Sequence, residues 1–160
     1  MSKIEARMKE LGIELPARPP LAVANYTCGT VVGDLLFVSG TVGTAIGPDG
    51  KDYMPIAGRA GEISLEDAYQ SARLTGLNHL IMIKSVIGDL DRVLRIVRLI
   101  GYINAAPHFK DAPQVLNGES DLLVEVFGPE NGRHARAALY QSQLTFDAPV
   151  ESEMIVQLRS

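Results

Sequence analysis

The 160-residue chain is poor in the residues that carry redox and metal chemistry: it has one cysteine, Cys28, and three histidines. A single thiol excludes an internal disulfide and a cysteine-rich metal site, and it fits a reducing compartment. His79 falls inside a helical pattern, His108 follows Pro107 in a loop, and no H-E-x-x-H or paired Cys/His arrangement exists. No metal is expected. No apolar run approaches the ~20 residues of a membrane span. The charged stretch Met1 to Leu15 has no apolar core or small-residue cleavage site of a signal peptide. The expectation is a cytoplasmic protein without membrane contact. Phosphate-cradling patterns are missing as well. There is no P-loop and no G-x-G-x-x-G opening a helix, and Val38-Ser39-Gly40 lacks the first glycine of a nucleophile elbow. No cofactor is expected, and serine hydrolysis is disfavoured. A surplus of positive charge is also lacking, since the net charge is −4. The densest basic segment, Arg92-x-x-Arg95-x-x-Arg98, is interleaved with Val, Leu and Ile and reads as the solvated face of one element. Nucleic acid is therefore not an expected partner.

What is present is a 46% hydrophobic chain with scattered Gly and Pro, enough for one domain around one core. Ser2 to Leu11 reads as an amphipathic helix with Ile4, Met8 and Leu11 on one face, stopped at Gly12 and followed by an extended linker at Pro16, Pro19 and Pro20. Residues 1–18 form this helix and linker, and residues 19–160 a single domain. Thr30-Val31-Val32 and Leu35 to Val38 flank Gly33-Asp34 as a hairpin. Gly43 to Gly61 is a loop with room for a short strand. Ser64 caps the longest helix, whose stripe of Leu65, Ala68, Ala72, Gly76, Leu80, Ile83 and Ile87 ends at Gly88. A strand from Asp91 to Asn104 follows. A second helix runs from Lys110 to Phe127, with Pro113 in its first turn and Val115, Leu122, Leu123, Val126 and Phe127 on its buried side; Gly128, Pro129 and Gly132 mark its exit. Two strands close the chain, Ala135 to Leu144 and Val150 to Leu158, with Asp147-Ala148-Pro149 in the turn between them. Two long helices cover one face of such a sheet. The other face calls for self-association.

Three segments together resemble the Rid (YjgF-like, reactive intermediate deaminase) family, whose members often carry the label endoribonuclease L-PSP-like. They are Tyr26 followed by Leu36-Phe37-Val38-Ser39-Gly40; the long helix followed by Val93 to Tyr102; and Arg136 with Val150-Glu151-Ser152-Glu153 fifteen residues on. The resemblance spans Pro19 to Leu158. It implies a chorismate-mutase-like α/β fold, a mixed sheet with two helices on one face. It also implies a barrel-like homotrimer whose subunit clefts bind small carboxylates. The best-studied branch hydrolyses enamines and imines such as 2-aminoacrylate to 2-oxo acids and ammonia. Carried over residue by residue, Arg136 is the carboxylate-binding arginine and Glu151 the acidic residue of the last strand. Tyr26, Ser39, Gly40 and Asn117 fall on pocket positions.

The chemistry suits these residue types. A guanidinium fork meets a carboxylate through two charge-assisted hydrogen bonds. A carboxylate can hold or deprotonate the water that adds to a C=N carbon. A tyrosine ring can wall a ligand while its hydroxyl donates. Each position also has a plain structural reading: an intersubunit ion pair for Arg136, a salt bridge for Glu151, a core or interface ring for Tyr26, and turn residues for Ser39 and Gly40. Glu153, on the same strand face as Glu151, suits an ion-pair role, Cys28 suits a buried small hydrophobe, and His134 is placed to tune a pocket near Arg136. The chain departs from the best-studied branch in three ways. Ala138 stands where the family often has cysteine, Tyr102 to Asn117 is longer, and an extra N-terminal helix precedes the domain. The resemblance is thus to a longer side branch. An imine or enamine hydrolase, a carboxylate-binding trimer without turnover, and an endoribonuclease are all open at this point, in that order.

Overall fold

A computed structural model describes residues 2–159. The chain starts with helix α1 (Lys3–Glu10), then strands β1 (Gly29–Val32) and β2 (Leu35–Val42). A small ladder of β3 (Ala45–Ile46) and β4 (Asp52–Tyr53) precedes helix α2 (Leu65–Ile87) and strand β5 (Val93–Asn104). Helix α3 (Ala112–Gly132), strand β6 (Ala135–Gln141) and strand β7 (Val150–Leu158) complete it. The five-stranded sheet has the order β1-β2-β7-β5-β6. β5 and β6 run parallel and the other neighbours antiparallel.

Local chemistry explains most of these boundaries. The Ser64 hydroxyl accepts from the Asp67 amide at 3.0 Å and starts α2, while Gly88 at φ 84° closes it. Gly33 at φ 62° makes the β1–β2 turn. The stripe along α2 is buried from Ala68 to Ile87, but Leu65 at its mouth is exposed. In α1 Met8 is buried and Ile4 packs on the core, whereas Leu11, just past its end, faces solvent.

The structure differs from the sequence reading in three places. The Gly43–Gly61 segment carries the β3–β4 ladder rather than one strand. Helix α3 runs on to Gly132 through a break at Gly128 (φ 79°) and Pro129, so its exit is a bend. The last two strands are not neighbours: β6 lies parallel to β5, and β5 separates it from β7. β6 also stops at Gln141, because the chain then turns through Thr145–Asp147 with Phe146 and Asp147 at φ 59° and 54°.

Helices α2 and α3 cover one face of the sheet. Residues paired directly across strands share a face. Met154 and Val156 of β7 pair with Val38 and Leu36 of β2, and all four are buried beneath the helices. The opposite face carries Phe37 paired with Ile155, Tyr102 paired with both Glu151 and Leu139, and Ile100 paired with Glu153 and Ala137. Phe37 and Leu139 stay exposed there. α1 docks at the far end, where the Asp91 carboxylate accepts from the Lys3 and Ile4 amides at 2.8 Å each. Burial works against that charge, but the Ile4 and Lys3 amides and the Ser2 hydroxyl outweigh it and hold its pKa below the usual aspartate value.

Candidate functional site

A cavity of about 730 Å³ opens between β2, β4, the segment Pro20–Tyr26, the turn at Thr145–Phe146 and the start of β7. That volume lies in the usual range for a small-molecule site. Tyr26, Ser39, Gly40 and Glu151 all line it, together with Lys51 and the apolar side chains of Leu21, Val23, Tyr53, Met54 and Phe146.

The floor is built by an irregularity in β2. Val38 pairs with Met154 and Thr41 with Ser152, so Ser39 and Gly40 together stand opposite Glu153 alone. That bulge bends the strand and turns its backbone toward the hollow. Ser39 is anchored by its hydroxyl, which donates to the Thr27 carbonyl at 2.6 Å, and by its amide, which donates to the Cys28 carbonyl at 3.0 Å. Gly40 lies against Glu151: a methyl group there would sit 2.8 Å from Oε1. The glycine thus makes room for the carboxyl group. Glu151 is half-buried, and its pKa is raised above the usual 4.5, first by desolvation and then by Glu153, against an opposing pull from His79.

Arg136 and Asn117 lie elsewhere. Arg136 sits on the edge strand β6 opposite Leu99, hence on the helix-covered face. Its guanidinium is exposed beyond α3, donating to Ser120 Oγ at 3.0 Å and to the Pro113 carbonyl at 3.1 Å. Among the described residues no carboxylate of the chain forms a salt bridge with it. Asn117 falls between Pro113 and Ser120 on the same side of α3 by helical period. β6 is three strand spacings from β2, roughly 14 Å at ~4.8 Å each. One chain therefore divides the predicted residues into two groups, one in the cavity and one at the opposite sheet edge.

His134 extends the arginine group. Its Nδ1 lies 2.7 Å from the Gly132 carbonyl and so carries the hydrogen; Nε2, 3.0 Å from Ser120 Oγ, accepts from that hydroxyl. Desolvation lowers the His134 pKa, and the Arg136 charge pushes the same way against the Gly132 hydrogen bond and Glu119. The neutral ring orients Ser120, and Ser120 accepts from Arg136. Cys28 is half-buried against the core, Glu153 is exposed and does not line the cavity, and His108 sits in its loop at φ 70°.

Three features had not been singled out from the sequence. Phe146 enters the cavity wall with a left-handed backbone, a conformation that bulky residues hold only under tertiary constraint. Glu119 and Ser152 are buried with His79 in one hydrogen-bonded set. The available signal was a histidine and a glutamate each set among apolar neighbours on a long helix. Among the described residues no three His, Cys, Asp or Glu side chains form a cluster suited to a metal ion, and no helix is long and apolar enough to cross a membrane.

A mixed five-stranded sheet with two helices on one face and a ligand-sized hollow at a bulged strand defines a chorismate-mutase-like α/β protein. The chain belongs to the family described as "YjgF/chorismate mutase-like, putative endoribonuclease", whose model matches residues 5–158. It is 36% identical to protein TCP17 of Trypanosoma cruzi over 159 residues, 99% of this chain and 96% of that one. It is also similar to the crystal structure of Atu1372, of unknown function, from Agrobacterium tumefaciens: 37% identity, TM-score 0.84, covering 98% of this chain and 92% of that one. The crystal structure of a "putative endoribonuclease" from Shewanella oneidensis is similar at 30% identity and TM-score 0.87, over 98% of this chain and all of its own.

Proposed function

We propose that this protein is a cofactor-free, cytoplasmic hydrolase of carboxylate-bearing imines or enamines, working as a homotrimer whose sites form between copies. The observation that carries this reading is the division of the candidate residues. Glu151, desolvated against Gly40, shares a hollow with Tyr26 and Ser39. Arg136 stands at the other edge of the sheet with its guanidinium exposed. Closing the sheet into a ring of copies brings one edge to the next copy's cavity, which is the arrangement a heterologous contact produces.

In that site Arg136 of one copy grips the substrate carboxylate through its fork. Tyr26 and the Ser39–Gly40 bulge of the next copy hold the reacting carbon near Glu151. Glu151 takes a proton from water as the water oxygen bonds to the C=N carbon. Its raised pKa makes it a stronger base than an ordinary carboxylate and lets it return the proton to nitrogen. That gives a carbinolamine; Glu151 then carries the proton of the new hydroxyl to nitrogen as the C–N bond breaks, so ammonia leaves and the C=O of a 2-oxo acid remains. TdcF of Escherichia coli, 20% identical with TM-score 0.60 over 92% of this chain and 99% of its own, is known with bound serine, and that small amino acid carries the same carboxylate handle.

The test is hydrolysis of 2-iminobutyrate and 2-aminoacrylate generated in situ. A rate above buffer that Arg136→Ala and Glu151→Gln each abolish is the expected result. No rate above buffer on any such imine defeats the catalytic reading. Ala138, at the position where the resembled branch often has cysteine, favours one second reading: a trimer that binds a small carboxylate without turnover. Calorimetric binding of 2-oxo acids that depends on Arg136, with no hydrolysis, would establish it.

A further inference from the structure

Between the helices and the sheet lie three polar side chains that the hydrolytic reading leaves without a task. His79 on α2, Glu119 on α3 and Ser152 on β7 are all 0% exposed. His79 Nδ1 lies 2.7 Å from Glu119 Oε1, and Ser152 Oγ donates to Glu119 Oε2 at 2.5 Å. The second ring nitrogen, Nε2, lies 3.3 Å from the carbonyl oxygen of Ser39. A carbonyl only accepts, so Nε2 carries a hydrogen and donates it. Nδ1 and Oε1 are joined by the second hydrogen bond of the ring.

Stability gives little reason for such a set. Taking an acid and an imidazole out of water is costly, and an apolar set of similar volume fills a core as well or better. The geometry gives a reason that an apolar set cannot meet. Ser39 and Gly40 form the bulge opposite Glu153, and a bulge leaves backbone groups without a ladder partner. His79 supplies the donor for the Ser39 carbonyl. The same two residues face the cavity, where Gly40 lies against the Glu151 carboxyl. Ser152 is next to Glu151 in β7, so the set is tied at one end to the bulge and at the other to the strand that carries the acid.

We propose that His79, Glu119 and Ser152 are positioning residues, a buried clamp that holds the Ser39–Gly40 bulge and thereby the seat of Glu151 and the cavity floor. Ser152 orients Glu119, Glu119 orients the imidazole, and the imidazole holds the backbone. The effect on binding rests on the cavity being the ligand site; the effect on the bulge does not.

The triple variant His79→Leu, Glu119→Leu, Ser152→Ala replaces the clamp with apolar side chains. Two readouts are taken on the full chain: amide hydrogen exchange at Gly40 and Thr41, and calorimetric binding of 2-oxobutyrate. The expected result is a folded protein with a melting temperature near that of the parent. Exchange at Gly40 and Thr41 becomes roughly tenfold faster, that of Leu80 and Leu99 is unchanged, and 2-oxobutyrate affinity falls about tenfold, a factor of ten being about 1.4 kcal/mol. A folded triple variant with parental exchange at Gly40 and Thr41 overturns the clamp. Faster exchange in a protein whose parent binds no 2-oxo acid upholds the clamp and sinks the carboxylate reading instead. If the triple variant does not fold, Ser152→Ala alone removes one donor to Glu119. Faster exchange at Gly40 then supports the clamp, and unchanged exchange overturns it.

Discussion

Glu151 lies half-buried, with Gly40 against its carboxyl and Tyr102 paired across from it in the ladder. Desolvation and then Glu153 raise its pKa above 4.5. The folded state therefore binds this proton more readily than the unfolded state does, and stability falls as pH rises through the window above 4.5. Glu151→Gln should then be more stable than the parent at pH 7 by a few tenths of a kcal/mol, discounted for its partial exposure. The two should melt alike at acid pH below that window. Equal melting at both values would mean that the carboxylate pays no desolvation cost in the fold. Arg136 and Glu151 were singled out in the sequence through the family resemblance, each in a recognisable strand, and the structure places them in separate groups. Glu119 and Ser152 were not, because their meaning arises from contacts across 40 and 33 residues of chain. No local pattern records such a meeting.

Helices α2 and α3 cross at Gly118, where a Cβ would run into the Tyr69 carbonyl and would come 3.1 Å from Ala72 Cβ. Both are backbone or short rigid groups, so the helices would have to separate. Gly118→Ala is expected to cost about 2 kcal/mol in urea unfolding, the scale of overpacking, and a loss below a few tenths would show that the crossing is looser than drawn. Start and stop signals carried by single residues were readable in the sequence: the hydroxyl of Ser64, the positive φ of Gly33 and Gly88. The turn at Thr145–Asp147 was not readable as a left-handed pair. Nothing local forces Phe146 and Asp147 there. Gly58 donates its amide to the Asp147 carbonyl at 2.8 Å and Asn104 donates to the Asp147 carboxylate at 3.3 Å, both from distant segments. The parallel placement of β6 beside β5 has the same origin, since α3 returns the chain across the sheet.

The sheet has one face under α2 and α3 and one face bearing Phe37, Ile100, Tyr102, Leu139 and Ile155. The proposed ring of copies would cover these side chains, which share the face with Glu151 and Glu153, and would bring Arg136 to a neighbouring cavity. The protein should sediment as a trimer, and Phe37→Glu, which puts a charge on the open face, should shift it to monomer while leaving the helical content unchanged. A monomeric parent at micromolar concentration would remove the basis for a shared site. That two helices leave the second face open was visible in the order of helices and strands; which strands stand at the sheet edges was not, because strand order differs from chain order. The most direct test mixes two inactive proteins. Arg136→Ala and Glu151→Gln are each unfolded, combined in equal amounts and refolded, and imine hydrolysis is measured. If Arg136 of one copy completes the cavity holding Glu151 of the next, statistical mixing leaves about a quarter of the sites with both groups and restores about a quarter of the parental rate. Mixed trimers that form and stay inactive would place both residues in the same copy's site and contradict the shared cavity.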